Sequence, residues 1–257
     1  MVFAHAAAVS AGHEHIEACA RVASLFSQRW LRHYVASKLR SDPVFPAAYE
    51  QLRSSTESLL DIGCGVGLLP FYLRERGFMQ PILGLDRDSR KIAHAQVAAV
   101  AYDGIQFTAQ DACEELPPFA GNIALLDVLH YLAPAEQQKL LSTSARRVPA
   151  GGVCLLRDAP REQTARFWAT YAGERFAQAI SWNLGVPLHF PARETLAAAF
   201  RPDEFTREEQ PAWGKTPFNN RLFLYRRRSP ATAPPLAQRS DNQPRPAAAK
   251  SVPGSGG

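Results

Sequence analysis

Short apolar segments alternate with longer amphipathic segments through the middle of the chain. Apolar strands that alternate with helices are typical of a parallel sheet covered by helices on both faces. Several of these segments end in an acidic residue, as expected where a polar ligand meets the carboxyl edge of such a sheet. The predicted strands are Leu59–Ile62, Ile82–Asp86, Ile105–Phe107, Ile123–Asp127 and Val153–Asp158, and the helices between them cover about 66–76, 89–101 and 135–147.

The two flanks of this region have different patterns. Apolar residues at helical spacing predict one long helix over 14–39. Asp42 then serves as a cap and Pro43 suits a first helical turn, so a second short helix follows through Leu52. On the C-terminal side, the pattern predicts helices over 161–180 and 192–200 and two final strands, near Phe205 and over Leu222–Tyr225.

The domain organisation follows from these patterns. We expect an N-terminal helical cap over 1–54, an α/β domain over 55–228 and a disordered tail over 229–257. The tail contains six prolines and three glycines. Its large apolar residues are only Leu236 and Val252, so it buries too little surface to offset the entropy of ordering.

The net charge of +5 would favour a nucleic-acid partner if it lay on the folded domain. The tail contributes +2 and Arg226–Arg228 contribute +3, so residues 1–225 are neutral. Nucleic-acid binding is therefore disfavoured. The apolar runs are far shorter than the roughly 20 residues of a membrane helix, so we expect no membrane insertion.

The cysteines and the N-terminus indicate a cytoplasmic protein. The four cysteines lie far apart, at positions 19, 64, 113 and 154, without a Cys-x-x-Cys pair. This spacing suggests neither a metal site nor a disulfide framework, and reduced thiols are the simpler interpretation. No Lys or Arg precedes Arg21, so the positive region of a secretory signal is missing.

The strongest chemical signal is the glycine cluster after the first predicted strand. The pattern is Gly63-x-Gly65-x-Gly67, and the third glycine of a dinucleotide fingerprint would fall on Leu68 instead. Asp61 just before the loop would repel a pyrophosphate, whereas it suits the ammonium and sulfonium groups of S-adenosylmethionine. A tight turn without any ligand is the alternative interpretation of the glycines alone.

Three acidic residues follow the next predicted strands. Asp86 can accept hydrogen bonds from both hydroxyls of a ribose. Asp111, with Ala112 beside it, can accept from an adenine amino group, although a turn aspartate is the alternative. Asp127 closes the fourth strand, where the methionine part of a cofactor would lie.

Residues 57–160 therefore resemble the class I S-adenosylmethionine-dependent methyltransferases, and Pro149–Gly152 matches a loop of that family. The resemblance implies a doubly wound, Rossmann-like α/β fold: a mostly parallel seven-stranded sheet with an antiparallel last strand. It also implies S-adenosylmethionine as cofactor and S-adenosylhomocysteine as product. The implied cofactor-binding residues are Asp61, Gly63, Cys64, Gly65, Asp86, Arg87, Asp111, Ala112 and Asp127.

A narrower resemblance involves segments outside this core. Lys38–Pro43, Leu188–Pro191 and Trp213–Asn220 look like segments of methyltransferases from bacterial aryl polyene and related pigment pathways. This implies methylation of a phenolic head group on oxygen or ring carbon. Amino-methylating enzymes that act on adenine or glutamine have an Asp/Asn-Pro-Pro-aromatic motif after strand four. This chain has Asp127–His130 there, so that substrate class is disfavoured.

Methylation of a phenol benefits from a general base, because the reference pKa of a phenol is about 10. The candidates near the carboxyl edge are His130 and His189. A histidine that only packs beside the cofactor is the alternative for His130, and a loop histidine is the alternative for His189.

We expect the substrate, a small aromatic molecule, to bind among aromatic residues outside the motif core. The same residues could instead be core. They are Trp30, Tyr34, Tyr49, Trp168, Tyr171 and Trp182.

If an acyl carrier protein holds the substrate, Arg32, Lys38 and Arg40 could meet its acidic surface, although a solvated helix face is the alternative. The rival functions are an RNA or protein methyltransferase and a non-catalytic cofactor-binding protein.

Overall fold

The computed structural model describes residues 2–180 and 187–229, with side chains described for 12–175 and 187–229. Seven strands form one sheet in the order β3-β2-β1-β4-β5-β7-β6. They are β1 (Leu59–Ile62), β2 (Ile82–Asp86), β3 (Ile105–Ala109), β4 (Asn122–Leu126), β5 (Val153–Asp158), β6 (Phe205–Pro211) and β7 (Arg221–Arg227). The first five strands are parallel, and β7 pairs antiparallel with both β5 and β6. The predicted fold class is confirmed, and the five predicted parallel strands differ from the observed ones by at most two residues at either end.

The helices are α1 (Val2–Ser24), α2 (Arg29–Ser41), α3 (Val44–Leu52), α4 (Leu68–Glu75), α5 (Ser89–Ala99), α6 (Pro134–Arg147), α7 (Ala165–Ile180) and α8 (Arg193–Ala198). A short 3₁₀ turn covers Leu129–Tyr131. Among the described residues, no helix has the length and apolar character needed to span a bilayer. The tail predicted over 229–257 lies outside the described residues except for Ser229.

The prediction of one continuous helix over 14–39 is wrong. The amides of Leu25 and Phe26 donate to carbonyls three residues back, which tightens and ends α1. Gln28 is then extended, with ψ of 123°, before α2 begins. Apolar residues continue at helical spacing across this break because Phe26 is itself buried, so the periodicity does not reveal it.

The core lies on both faces of the sheet, because successive residues of a buried strand point to opposite sides. Leu59 of β1 packs with apolar residues of α1–α5 on one face. Leu60 packs with residues of α6 and α8 on the other face. The N-terminal helices α1–α3 therefore share a core with the sheet and with α4. The division into a cap over 1–54 and a domain over 55–228 stays a prediction.

Candidate active site

A cavity of about 810 Å³ opens at the carboxyl edge of the parallel strands. It lies where the strand order reverses between β1 and β4, the position at which doubly wound sheets bind ligands. The cavity has two halves. The first is lined by predicted cofactor residues that follow β1–β4: Asp61, Gly63, Cys64, Gly65, Asp86, Arg87, Asp111, Ala112 and Asp127. The second is lined mainly by residues of α2 and α3 and by Tyr131, Leu132 and Glu174.

The glycine loop after β1 combines one crowded position with one open position. A Cβ at Gly63, which has φ of 76°, would lie 2.2 Å from a methyl carbon of Val128. Gly65 has φ of 57°, yet no atom lies within 4 Å of where its Cβ would be. Only glycine tolerates this backbone without strain. The loop thus packs tightly against the end of β4 and leaves space above Gly65 for a ligand.

Asp86 connects the end of β2 to this loop. One carboxylate oxygen accepts from the amide of Gly65 at 2.9 Å, and the other accepts from the amide of Asp88 at 2.8 Å. Asp88 itself caps α5 by accepting from the amide of Arg90. Asp86 therefore has a fixed orientation at the cavity wall, and each of its oxygens retains acceptor capacity for a ribose hydroxyl.

Asp61 is a buried carboxylate, only 3% exposed. Burial, with a further contribution from the neighbouring Asp86 carboxylate, raises the pKa of Asp61 to about 8. A buried carboxylate in this state is stabilised by a cation, so the site fits the ammonium group of S-adenosylmethionine.

Asp111 and Ala112, the residues predicted to contact adenine, both line the cavity. Asp111 accepts from the amide of Cys113 at 2.8 Å, which holds the turn after β3. The turn role given as the alternative for Asp111 is therefore present, and it is compatible with a ligand contact because Asp111 also lines the cavity.

A charge cluster of Lys38, Asp42, Asp127 and Arg157 lies beside the end of β4. Arg157 donates to both carboxylate oxygens of Asp42, at 2.6 Å to Oδ1, and it also donates to Asp127 at 2.8 Å. Lys38 lies 2.8 Å from Asp42. Burial would raise the pKa of Asp42, but Arg157 and Lys38 outweigh it and lower that pKa. Asp127 has φ of 60°, a costly value for a residue other than glycine.

Sequence reasoning missed Arg157 and gave Asp42 only the role of a helix cap. The amide of Val44 does donate to Asp42, as a cap requires. The acidic end of β5 was visible in the sequence, but the pairing of Arg157 with Asp42 joins residues 115 positions apart.

His130 lies behind the cavity wall and does not line it. The ring is 2% exposed and stacks on Phe190 at 5.2 Å between centroids. Burial would lower its pKa, but Asp158 and Glu174 raise it to about 9. His130 therefore carries a proton at neutral pH and has no free site to accept another. This geometry does not support the predicted role as general base and fits a packed histidine.

His189 is exposed and does not line the cavity either. Its amide donates to the carbonyl of His130 at 2.8 Å, and its carbonyl accepts from the Gln137 side chain at 2.6 Å. These contacts correspond to the loop histidine considered as the alternative.

The predicted aromatic pocket is only partly assembled. Trp30 and Tyr34 line the cavity, whereas Tyr49 packs against the guanidinium of Arg76 at 4.4 Å. Trp168 and Tyr171 pack against each other on α7, outside the cavity, and Trp182 lies outside the described residues. The cavity also contains aromatic residues that sequence reasoning did not select, Phe45 and Tyr131.

Fold and site together define a Rossmann-like α/β protein of the methyltransferase type. The chain belongs to the methyltransferase domain family, whose model matches residues 28–207. This match covers the glycine loop, helix α2 and the carboxylates Asp61, Asp86, Asp111 and Asp127.

Two curated relatives each match about half of the chain. An uncharacterised methyltransferase of Synechocystis sp. is 29% identical over 137 residues, 51% of this chain and 61% of the relative. A ubiquinone biosynthesis O-methyltransferase of Pseudomonas aeruginosa is 27% identical over 128 residues, 48% of this chain and 53% of the relative. The chain thus spans between half and two thirds of the length of these relatives.

Solved structures share the fold. Magnesium protoporphyrin IX methyltransferase from Synechocystis, with bound S-adenosylhomocysteine, has a TM-score of 0.55 at 17% identity, over 72% of this chain and 81% of that chain. The N-methyltransferase NodS from Bradyrhizobium japonicum, in complex with S-adenosylhomocysteine, has a TM-score of 0.53 at 17% identity, over 74% and 90%. Both of these proteins hold the product S-adenosylhomocysteine, and their likeness to this chain shows the fold.

Proposed function

We propose that this protein transfers a methyl group from S-adenosylmethionine to a small aromatic acceptor, on a phenolic oxygen or a ring carbon. The observation that carries the proposal is the single cavity whose two halves differ in chemistry. One half is lined by the glycine loop and strand-end carboxylates, and the other by aromatic side chains of α2 and α3. A cofactor and a flat apolar acceptor would therefore lie in contact.

In the cofactor half, Asp61 would hold the ammonium group, Asp86 the ribose and Asp111 with Ala112 the adenine. Gly63 and Gly65 let the backbone approach the ligand, with Cys64, Arg87 and Asp127 completing the wall. The cofactor supplies a methyl group already activated on a sulfonium. The protein mainly has to align the acceptor and exclude water.

In the acceptor half, Trp30, Tyr34 and Lys38 repeat every four residues and so share one face of α2. Aromatic side chains offer flat apolar surface to a flat ligand. Lys38 places a cation beside them, where an ionising phenol would gain negative charge. Transfer to oxygen is favoured because the Pseudomonas aeruginosa relative is named an O-methyltransferase.

We propose further that the reaction belongs to pigment or secondary-metabolite biosynthesis, with the aryl polyene pathway as the narrower proposal. The resemblance of Lys38–Pro43, Leu188–Pro191 and Trp213–Asn220 to segments of such methyltransferases supports it. An acyl carrier protein could present the acceptor as a thioester. Arg32 and Arg40 are exposed on α2 and are available to an acidic partner, whereas Lys38 faces the cavity.

Two other functions fit the observations less well. An RNA or protein methyltransferase needs an accessible basic face, but residues 1–225 are neutral overall. In addition, Arg157 is buried and paired with two carboxylates. A non-catalytic cofactor-binding protein would not need the aromatic half of the cavity.

The test is methylation of defined acceptors, read by mass spectrometry. The protein is incubated with S-adenosylmethionine and N-acetylcysteamine thioesters of 4-hydroxybenzoate or 4-hydroxycinnamate, with the free acids in parallel. We expect one methyl group to be added to at least one phenol, and Asp86→Asn to lose this activity when cofactor is limiting. Cofactor binding without transfer to any phenol, alongside methylation of RNA or protein, would instead support the rival enzyme class.

A further inference from the structure

Glu174 of α7 brings a carboxylate to the acceptor half of the cavity. The hydroxyl of Tyr131 donates to its Oε2 at 2.9 Å. The Nε2 of His130 lies 3.8 Å from the same oxygen. Two side chains of the 3₁₀ turn after β4 therefore converge on one carboxylate oxygen of α7, and the other oxygen, Oε1, is not part of either contact.

The position of His130 is set from behind by Asp158, which is fully buried at the end of β5. Asp158 accepts from the amides of His130 and Ala159, at 3.2 and 2.8 Å. It also accepts from Nδ1 of His130 at 3.0 Å. The ring is thereby oriented with Nε2 towards Glu174, and this buried nitrogen has no hydrogen-bond partner among the described residues. Asp158 thus holds His130 with its Nε2 3.8 Å from Oε2 of Glu174.

The other carboxylates of the cavity are already committed. Asp61, Asp86 and Asp111 lie in the cofactor half. In the charge cluster, Asp42 and Asp127 are both paired with Arg157. Among the described residues of the acceptor half, Glu174 is the carboxylate that forms no ion pair with an arginine or a lysine, so it is the one available to a neutral hydroxyl.

We propose that Glu174 is the catalytic proton acceptor of methyl transfer, and that His130 and Tyr131 are positioning residues that orient its carboxylate. This inference rests on the proposed function. The O–H bond of the acceptor breaks and its proton moves to a carboxylate oxygen of Glu174. The electron pair stays on the acceptor, which uses it to bond the methyl carbon, while the pair of the broken carbon–sulfur bond remains on sulfur.

Several titratable groups face Glu174 from the elements packed around it. Tyr131 and His130 face it from the 3₁₀ turn, with Asp158 of β5 behind His130. Lys38 of α2 and Asp127 after β4 belong to the same cavity. Lys38 would stabilise the negative charge that develops on the acceptor as the proton leaves.

The experiment compares Glu174→Gln with Glu208→Gln, a matched change at an exposed position of β6. The probe is the phenolic thioester that gives the highest rate with the unmodified protein. We expect Glu174→Gln to lower kcat about 100-fold or more at pH 7, with the acceptor KM and the Kd of S-adenosylmethionine each within about threefold. Glu208→Gln should match the unmodified protein.

The pH profile separates proton transfer from simple positioning of the acceptor. The defect of Glu174→Gln should shrink as pH rises from 7 to 10, because the phenol then ionises without help. Tyr131→Phe and His130→Gln should lower kcat less than Glu174→Gln, since the carboxylate remains present but is less well oriented.

Two results would overturn the inference while leaving the proposed function intact. One is an unchanged kcat in Glu174→Gln, and the other is a defect of equal size at pH 7 and pH 10. An unmodified protein that binds S-adenosylmethionine and methylates no phenol would overturn the proposed function, and the role of Glu174 with it. The activity of the unmodified protein therefore tells the two failures apart.

Discussion

The burial of the ionised Asp61 carboxylate lowers the stability of the folded protein, and a bound cation would remove this loss. Its pKa is raised to about 8 by burial and by Asp86. In the unfolded chain the same group ionises near its usual pKa of about 4. Between these two values the unfolded state has released the proton and the folded state has kept it. Folding therefore becomes less favourable as pH rises through this window.

We predict that Asp61→Asn stabilises the protein in the absence of cofactor and impairs its binding. The gain should be on the order of 1–3 kcal/mol at pH 8 and smaller at pH 5, because the penalty grows with pH. The affinity for S-adenosylmethionine should fall by about tenfold or more. Thermal denaturation at both pH values and calorimetric titration measure the two effects. Asp103→Asn, at an exposed position, is the control, and an Asp61→Asn gain no larger at pH 8 than at pH 5 would contradict this explanation.

Asp86 has two roles that a substitution would remove together. It orders Gly65 through the 2.9 Å hydrogen bond, and we propose that it also accepts from ribose hydroxyls. We predict that Asp86→Ala weakens S-adenosylmethionine binding by roughly 1.5–3 kcal/mol, the scale of hydrogen bonds to a charged group. Calorimetry with S-adenosylmethionine and NAD in parallel measures this loss.

The control for this prediction is Asp88→Ala, which removes the cap of α5. It should cost about 1 kcal/mol of stability while cofactor affinity stays nearly unchanged. Tight binding of NAD, with none of S-adenosylmethionine, would disprove the assignment of the cofactor site.

At the scale of whole elements, the charge cluster joins the corner between α2 and α3 to strands β4 and β5. Arg157 is 3% exposed and is held by Asp42 from the helical side and by Asp127 from the sheet side. A buried guanidinium that loses one partner keeps the cost of its burial without full compensation. We expect this contact to contribute to the placement of α2, and with it of the aromatic wall of the cavity.

We predict that Asp42→Ala lowers the free energy of unfolding by about 3 kcal/mol at pH 7. The pKa of Asp42 is lowered by Arg157 and Lys38, which outweigh burial. Its contribution is therefore present above the unfolded pKa of about 4 and is lost as pH falls through the lower folded pKa. Urea denaturation at pH 7 and pH 3 should show the difference between variant and unmodified protein shrinking at the lower pH.

Glu50→Ala provides the comparison, since Glu50 forms an exposed ion pair with Arg53 on α3. An exposed pair of this kind contributes less than about 1 kcal/mol. Equal losses in the two variants would mean that the Asp42–Arg157 contact does not hold α2 and α3 to the sheet.

At the scale of the whole molecule, the basic charge and the folded domain are separate features. Arg226 and Arg227 are the last residues of β7, and further excess positive charge lies in the tail. The tail has little apolar surface to bury. We predict that truncation after Ser229 leaves the melting temperature within about 1 °C and the cofactor affinity unchanged. A clear loss of stability, measured by thermal denaturation of the two proteins side by side, would show that the tail docks on the domain.

Local sequence patterns were sufficient to predict the strands, the glycine loop and the order of the carboxylates that line the cofactor half. Apolar runs such as Leu59–Ile62 and the turn chemistry of Gly63 and Gly65 depend on neighbours in the chain, and parallel topology then brings strand ends to one edge. Local patterns failed at the break after Ser24, where apolar spacing continues although the backbone hydrogen bonds do not.

The acceptor half depended on contacts between distant segments. Glu174 meets Tyr131 across 43 residues, and Arg157 meets Asp42 across 115. The histidine at position 130 was identifiable from its place after β4, but its protonation depends on burial and on Asp158, 28 residues away. Burial and the charge of distant neighbours set the pKa of a side chain. The chemistry of the acceptor half therefore follows from the tertiary structure. The cofactor half follows from local patterns of residues that are neighbours in the sequence.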